Sequence, residues 1–175
     1  MRLSKIFKLV IAVFACEFAG VIGSVFTFPS IQSWYMTLAK PALNPPAWVF
    51  GPVWTILFAL MGIAVFLIWS SYSSHSLVAA DEQDKTSEEQ KKQKTKIALT
   101  VFCVQLALNV LWSIIFFGLH NPAGAFVDIL LLWLAIFGTI FIFSKISKVA
   151  AWLLMPYIIW VSFAAYLNYA IWILN

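Results

Sequence analysis

Charge is what this 175-residue sequence has least of. Asp, Glu, Lys and Arg make up 10% of it, against roughly 25% in a soluble domain. With 63% hydrophobic residues and a mean hydropathy of +0.93, the deficit excludes an ordinary water-soluble globule and predicts a single-domain integral membrane protein. Cysteine and histidine are also sparse, two of each. Cys16 and Cys103 lie inside apolar runs, which excludes a disulfide framework and leaves them as small packing residues. His75 falls in a polar stretch and His120 at the end of an apolar one. Neither is placed as an axial ligand, and no Ser-His-Asp, Cys-His or metal-ligand spacing can be assembled, so no metal or resident cofactor is expected. A glycine-rich phosphate loop is missing too. The basic balance, with a pI of about 9.1, does not signal nucleic acid, because the lysines cluster at the ends of apolar segments.

Hydrophobic length is what the sequence does have. Five apolar segments, about 9–28, 47–69, 97–119, 123–143 and 149–174, approach or exceed the roughly 20 residues that cross a bilayer core as a helix. They predict an all-α fold, a bundle of five transmembrane helices in one domain. The first apolar run is longer than the ~7–15 residues of a signal peptide's core and no clear small-x-small cleavage site follows, so it reads as a retained helix. Ten of the eleven cations (Arg2, Lys5, Lys8, Lys85, Lys91, Lys92, Lys94, Lys96, Lys145, Lys148) fall on one side of such a bundle, and only Lys40 on the other. The positive-inside rule then predicts a cytoplasmic N-terminus, a cell inner membrane location and an outward-facing first loop. The stretch 70–96 reads as a solvated cytoplasmic connector. Within it, Ser87 with Gln90 fits a capping box and Glu88 pairs in spacing with Lys92, which predicts that the third helix begins near Ser87. Asn121 and Pro122 suit a cap and a first helical position, so the third and fourth helices should be antiparallel neighbours.

The stretch 34–62 is the most distinctive. Pro41, Pro45 and Pro46 remove backbone donors and push the preceding residues out of the α region, so the first half is not a regular helix. It is nevertheless aromatic, with Trp34, Tyr35 and Trp48. Such a segment reads either as a lid or as a surface loop with its rings at the headgroups. Polar groups lie at membrane depth as well. Glu17 and Asp128 are the two intramembrane carboxyls, each a functional candidate or a hydrogen-bonded link between helices. Gln105, Asn109 and Asn168 are candidates for interhelical hydrogen bonds. At ~1.5 Å per residue, Trp54, Trp112, Asn109, Asp128, Asn168, Ala164 and Trp160 all fall ~8–21 Å below the outer surface, under the proline loop. Gln105, Asn109 and Trp112 share one helix face, as do Trp160, Ala164 and Leu167, and Trp54, Phe58 and Met61. Stripes of this kind serve packing as well as pockets. Gly20 and Gly23 are read as close-packing positions in the first helix.

Several motifs carry a resemblance. Trp34-Tyr35, Leu38, Lys40-Pro41, Pro45-Pro46, Trp48, Phe50, Pro52-Val53-Trp54-Thr55 and Met61-Gly62 form one. Gln105-Leu106-Ala107-Leu108-Asn109 with Trp112 and Phe116-Phe117-Gly118 form a second. Pro156-Tyr157, Trp160, Phe163-Ala164 and Leu167-Asn168 form a third. Together they resemble the translocator protein family, also called tryptophan-rich sensory proteins or peripheral benzodiazepine receptors. The resemblance implies a membrane receptor or sensor that binds porphyrins, notably protoporphyrin IX, and benzodiazepine or isoquinoline-type ligands beneath the first loop. By matching motif it implies a pocket of Tyr35, Pro41, Pro45, Trp54, Phe58, Asn109, Trp112, Trp160 and Ala164, and a homodimer in the lipid bilayer. Two alternatives follow from the same resemblance: a porphyrin or metabolite transporter, and a light-dependent porphyrin-degrading enzyme with Trp54 and Trp160 as its reactive residues. A sterol-recognition pattern found in some relatives needs a cation after a tyrosine. None follows Tyr166 or Tyr169 in this sequence, so the pattern is incomplete.

Overall fold

A computed structural model describes residues 4–75 and 82–175 of the chain, without the side chains of 72–75 and 82–88. The described residues are helical with no strand, and five stretches are long and apolar enough to span a membrane. Helix α1 (Lys5–Ser30) starts under a cap in which the Ser4 hydroxyl accepts from the Phe7 N–H at 3.2 Å. It continues as a π-helical turn, Ile31–Tyr35. Helix α2 (Phe50–His75) follows a short 3₁₀ turn, Ala47–Val49. Helix α3 (Glu82–Ser113) also ends in a π-helical turn, Ile114–Gly118. Helices α4 (Pro122–Ser144), α5 (Lys148–Leu153) and α6 (Met155–Leu174) complete the chain.

The spans close into a ring. Helix α1 packs on α2 and α3, α3 on α4, α4 on α6, and α5 on both α2 and α4. The Asn-Pro pair at 121–122 behaves as its chemistry predicts: the Asn121 side-chain Oδ1 accepts from the Gly124 N–H at 2.9 Å, and Pro122 opens α4. Between α5 and α6 the last span breaks at Leu154, where Pro156 has no N–H to continue the ladder. The lysine-rich end of the bundle is tightly filled, with Met61, Ala64, Ile68, Ala98, Phe143 and Ala150 all fully buried. Helices α1 and α2 touch backbone to backbone there. A Cβ added at Gly62 would lie 2.5 Å from Val13 Cα.

Two expectations need correction. The third helix does not start near Ser87, because helical backbone already runs from Glu82. Residues 82–96 hold no Gly or Pro and are dominated by Glu, Gln and Lys, good helix formers that extend the helix past the apolar stretch. Ser87 is therefore inside α3, and its side chain, like that of Glu88, lies outside the described residues. Second, the first half of 34–62 is partly helical. Trp34 and Tyr35 belong to the π turn that extends α1, and the irregular chain covers only 38–46. Lys40, the first residue constrained by a following proline, comes five residues after Tyr35. Pro29 does not stop the helix: α1 runs through it to Ser30, and the Ile31 N–H still donates to the Thr27 carbonyl. Inside a helix it removes one N–H and crowds the carbonyl four residues back, here that of Val25, upstream of the π turn.

Candidate ligand cavity

A cavity of about 500 Å³ lies at the proline-loop end, between α1, α2, α3 and α6. Each helix contributes one face. From α1 and the turn that extends it come Glu17, Gly20, Ser24, Thr27 and Ile31, a stripe at alternating three- and four-residue steps. Helix α2 adds Phe50, Gly51, Trp54, Thr55 and Phe58. Asn109, Trp112 and Ser113 come from α3, and Trp160, Ala164, Leu167 and Asn168 from α6. The two π turns supply Tyr35, Phe116 and Phe117 beneath the loop. A π turn rotates the residues beyond it relative to an unbroken helix, so these rings face the cavity end.

The walls are aromatic and mutually fixed. Trp112 stacks on Phe116 at 5.0 Å, Trp54 lies 5.6 Å from Phe58, and Phe50 meets Trp160 edge-on at 6.0 Å. Gly20 makes room for the Phe58 ring, which would stand 2.5 Å from a Cβ placed there. Polar side chains behind the rings hold one another. The Trp112 indole N–H donates to Asn168 Oδ1 at 2.9 Å, and Asn168 Nδ2 donates to the Pro122 carbonyl at 2.7 Å. Asn109 Nδ2 donates to the Tyr157 hydroxyl at 2.9 Å. Each bond ties two helices together across the bundle. The buried Trp160 indole N–H, by contrast, has no partner among the described residues.

Seven of the nine residues that the family resemblance nominated line this cavity: Tyr35, Trp54, Phe58, Asn109, Trp112, Trp160 and Ala164. Pro41 and Pro45 do not; they shape the loop above it. That loop is pinned at two points. The Tyr35 hydroxyl donates to Asn44 Oδ1 at 2.8 Å. Asn175 brackets Ala39, accepting from its N–H at 3.0 Å and donating to its carbonyl at 3.1 Å. Lys40 turns back to the carbonyls of Leu38 and Met36 and lies over the Tyr35 ring at 4.8 Å. His120, in the left-handed region at φ 52°, stacks on Trp34 at 4.4 Å and is not on the cavity wall.

The two membrane-depth carboxyls part company. Asp128 is buried behind the cavity, with Oδ2 unpartnered among the described residues, and does not reach the wall. Glu17 is on the wall. The α1 face was not legible as a site, although its run of small residues, Gly20, Gly23 and Ser24, was a usable signal for space beside a ring. On the side between α1 and α2 the cavity is not closed, since its lining residues Phe28 and Trp48 remain 73% and 75% exposed.

The comparisons with known proteins agree with this architecture. The TspO/MBR family profile matches residues 12–173. The tryptophan-rich protein TspO of Chlorobaculum tepidum is 41% identical over 172 residues, 98% of each chain. The human translocator protein is 35% identical over 151 residues, 86% of this chain and 80% of its own. Protein CrtK of Rhodobacter capsulatus is 34% identical over 161 residues, 92% of this chain and 88% of its own.

Proposed function

We propose, for a multi-pass membrane protein that belongs to the TspO/MBR family, that the cavity is the binding site of a membrane receptor or sensor for a flat, largely apolar ligand, with protoporphyrin IX the first candidate. The observation that carries this reading is the cavity's construction. About 500 Å³ of space is walled by Trp54, Phe58, Trp112 and Trp160, within the size range of small-molecule sites. Aromatic faces can stack on a planar ring system. Ala164 leaves a gap beside Trp160 where a larger side chain would fill the space. The orientation that fits the cations places the lysine-rich end in the cytoplasm and the proline loop outside.

The test is a titration of protoporphyrin IX into the purified protein in phospholipid nanodiscs, followed by tryptophan emission. Saturable quenching at one ligand per chain is expected. Ala164→Phe, which places a ring in the cavity, should weaken binding by about ten-fold or more while the chain still melts cooperatively. Quenching that never saturates, or an unchanged affinity in a folded Ala164→Phe, would remove the cavity as the site.

A further inference from the structure

Glu17 is the only acidic residue among the described residues of the cavity wall. It sits on the stripe that continues through Gly20, Ser24 and Thr27, so the α1 backbone directs it to the same side as the rest of the wall. One turn below it, Val13 meets Gly62; one turn above, Gly20 meets Phe58. Glu17 therefore stands at the inner corner of the cavity, where α1 and α2 begin to separate. No hydrogen bond or ion pair reaches its carboxyl among the described residues. A carboxyl at membrane depth without a partner is costly and calls for a donor. Further along the same wall the Ser113 hydroxyl, which faces Gly23, is likewise without a partner among the described residues.

We propose that this corner is an amine subsite: the Glu17 carboxyl takes the N–H of an amine carried on a flat apolar body that lies against Trp54, Phe58 and Trp160. A carboxyl beside aromatic faces is an acceptor set suited to an ammonium group, which gains from both the carboxylate and the ring quadrupoles. Proton balance does not limit the pairing. An ammonium meets the carboxylate, or a neutral amine takes the proton of the carboxylic acid, and the same N–H···O contact results. A ligand that presents a carboxylate at this corner instead faces a like charge. The order of preference for one flat body is then amine, neutral amide, acid. This inference rests on the cavity being a ligand site and not on porphyrin being its ligand.

Three probes of one shape test it: 1-pyrenemethylamine, its N-acetyl derivative and 1-pyreneacetic acid. Each is titrated into the protein in phosphatidylcholine nanodiscs, read by energy transfer from tryptophan and corrected on empty discs. The amine is expected to bind about ten-fold or more tightly than the amide, as a charge-assisted hydrogen bond requires, with the acid weakest. Glu17→Gln should bring amine and amide within about two-fold of each other, chiefly by weakening the amine, while Glu17→Asp keeps part of the preference. Equal binding of amine and amide by the parent protein, or a preference that survives in Glu17→Gln, overturns the subsite. Loss of amide binding in Glu17→Gln would make Glu17 a packing residue and overturn it as well. So would failure of every pyrene to bind. A protoporphyrin IX titration run alongside reports separately on the proposed receptor function, because the pyrene series contains no porphyrin.

Discussion

At the lysine-rich end of the bundle, Met61, Ala64, Ile68, Ala98 and Phe143 meet with no space between them; at the proline-loop end, Trp54, Phe58, Trp112 and Trp160 surround about 500 Å³. Both ends are helical, apolar and rich in large side chains. They differ in what holds the helices apart. At the filled end, glycine and alanine let backbones approach, as Gly62 does against Val13. At the open end, indole and phenyl rings act as spacers, and amides behind them fix the distance: Trp112 to Asn168, Asn168 to Pro122, Asn109 to Tyr157. An empty space lined by aromatics persists only if something rigid keeps its walls from collapsing, because dispersion contacts favour closure. The interhelical hydrogen bonds supply that rigidity, and the close-packed end anchors it.

The contrast can be broken most severely at the filled end. Gly62→Val places a side chain where Val13 backbone already sits, so α1 and α2 must separate. A cost of about 3 kcal/mol is expected from such overpacking. In a thermal melt that is a fall on the order of 10 °C. Gly51→Ala is the control at the open end of the same helix, where nothing apart from its own chain neighbours lies within 4 Å. It should cost about 1 kcal/mol or less, because the only new conflict is between the alanine Cβ and the following Pro52 ring, partly offset by alanine's better helix propensity. Equal losses from both substitutions would erase the distinction between the two ends.

A finer division runs through the cavity wall itself. Trp112→Phe removes the bond to Asn168 and leaves a buried amide oxygen without its donor, at a cost of about 1–3 kcal/mol. Trp160→Phe breaks no hydrogen bond, because that indole N–H has no partner among the described residues. Only the smaller cost of trimming a ring beside empty space remains, about 1 kcal/mol or less. Melting curves of the two variants should therefore separate clearly, with Trp112→Phe the lower. Coincident curves would mean that the Trp112–Asn168–Pro122 chain does not hold the wall. The smallest effect is expected at the loop. Asn175→Ala releases Ala39 from both of its side-chain hydrogen bonds, which should leave the melting temperature within about 2 °C. Ligand release measured by stopped flow should accelerate a few-fold, about the worth of one exposed hydrogen bond. An unchanged off-rate would show that the loop does not gate the cavity.

Much of this was legible residue by residue. The Asn121-Pro122 pair announces its own cap and helix start, since both act within one turn. Five apolar runs announce five spans, since each must satisfy its backbone internally in a bilayer. The continuation of α1 past Pro29 was not foreseen. The helix passes through it and carries Trp34 and Tyr35 on a π-helical turn where the downstream prolines alone pointed to irregular chain. The long polar stretch after α2 reads as a connector by composition, but its Glu, Gln and Lys residues are strong helix formers and α3 runs through them from Glu82.

The sequence by itself determined the membrane class, the number of spans, their tight α3–α4 connection and, through its aromatic and proline motifs, the family. These are properties of composition and of contacts within a turn or two. Only the tertiary structure decided which faces meet. It brought Asn109 to Tyr157 across 48 residues and Trp112 to Asn168 across 56. It also placed Glu17 on the cavity wall and Asp128 behind it. In a helix surrounded by lipid, hydrophobicity is nearly the same on every side. The pattern that distinguishes inside from outside in water is therefore faint, and the facing surfaces are chosen by shape, by where glycine admits a neighbour and where a ring keeps it away.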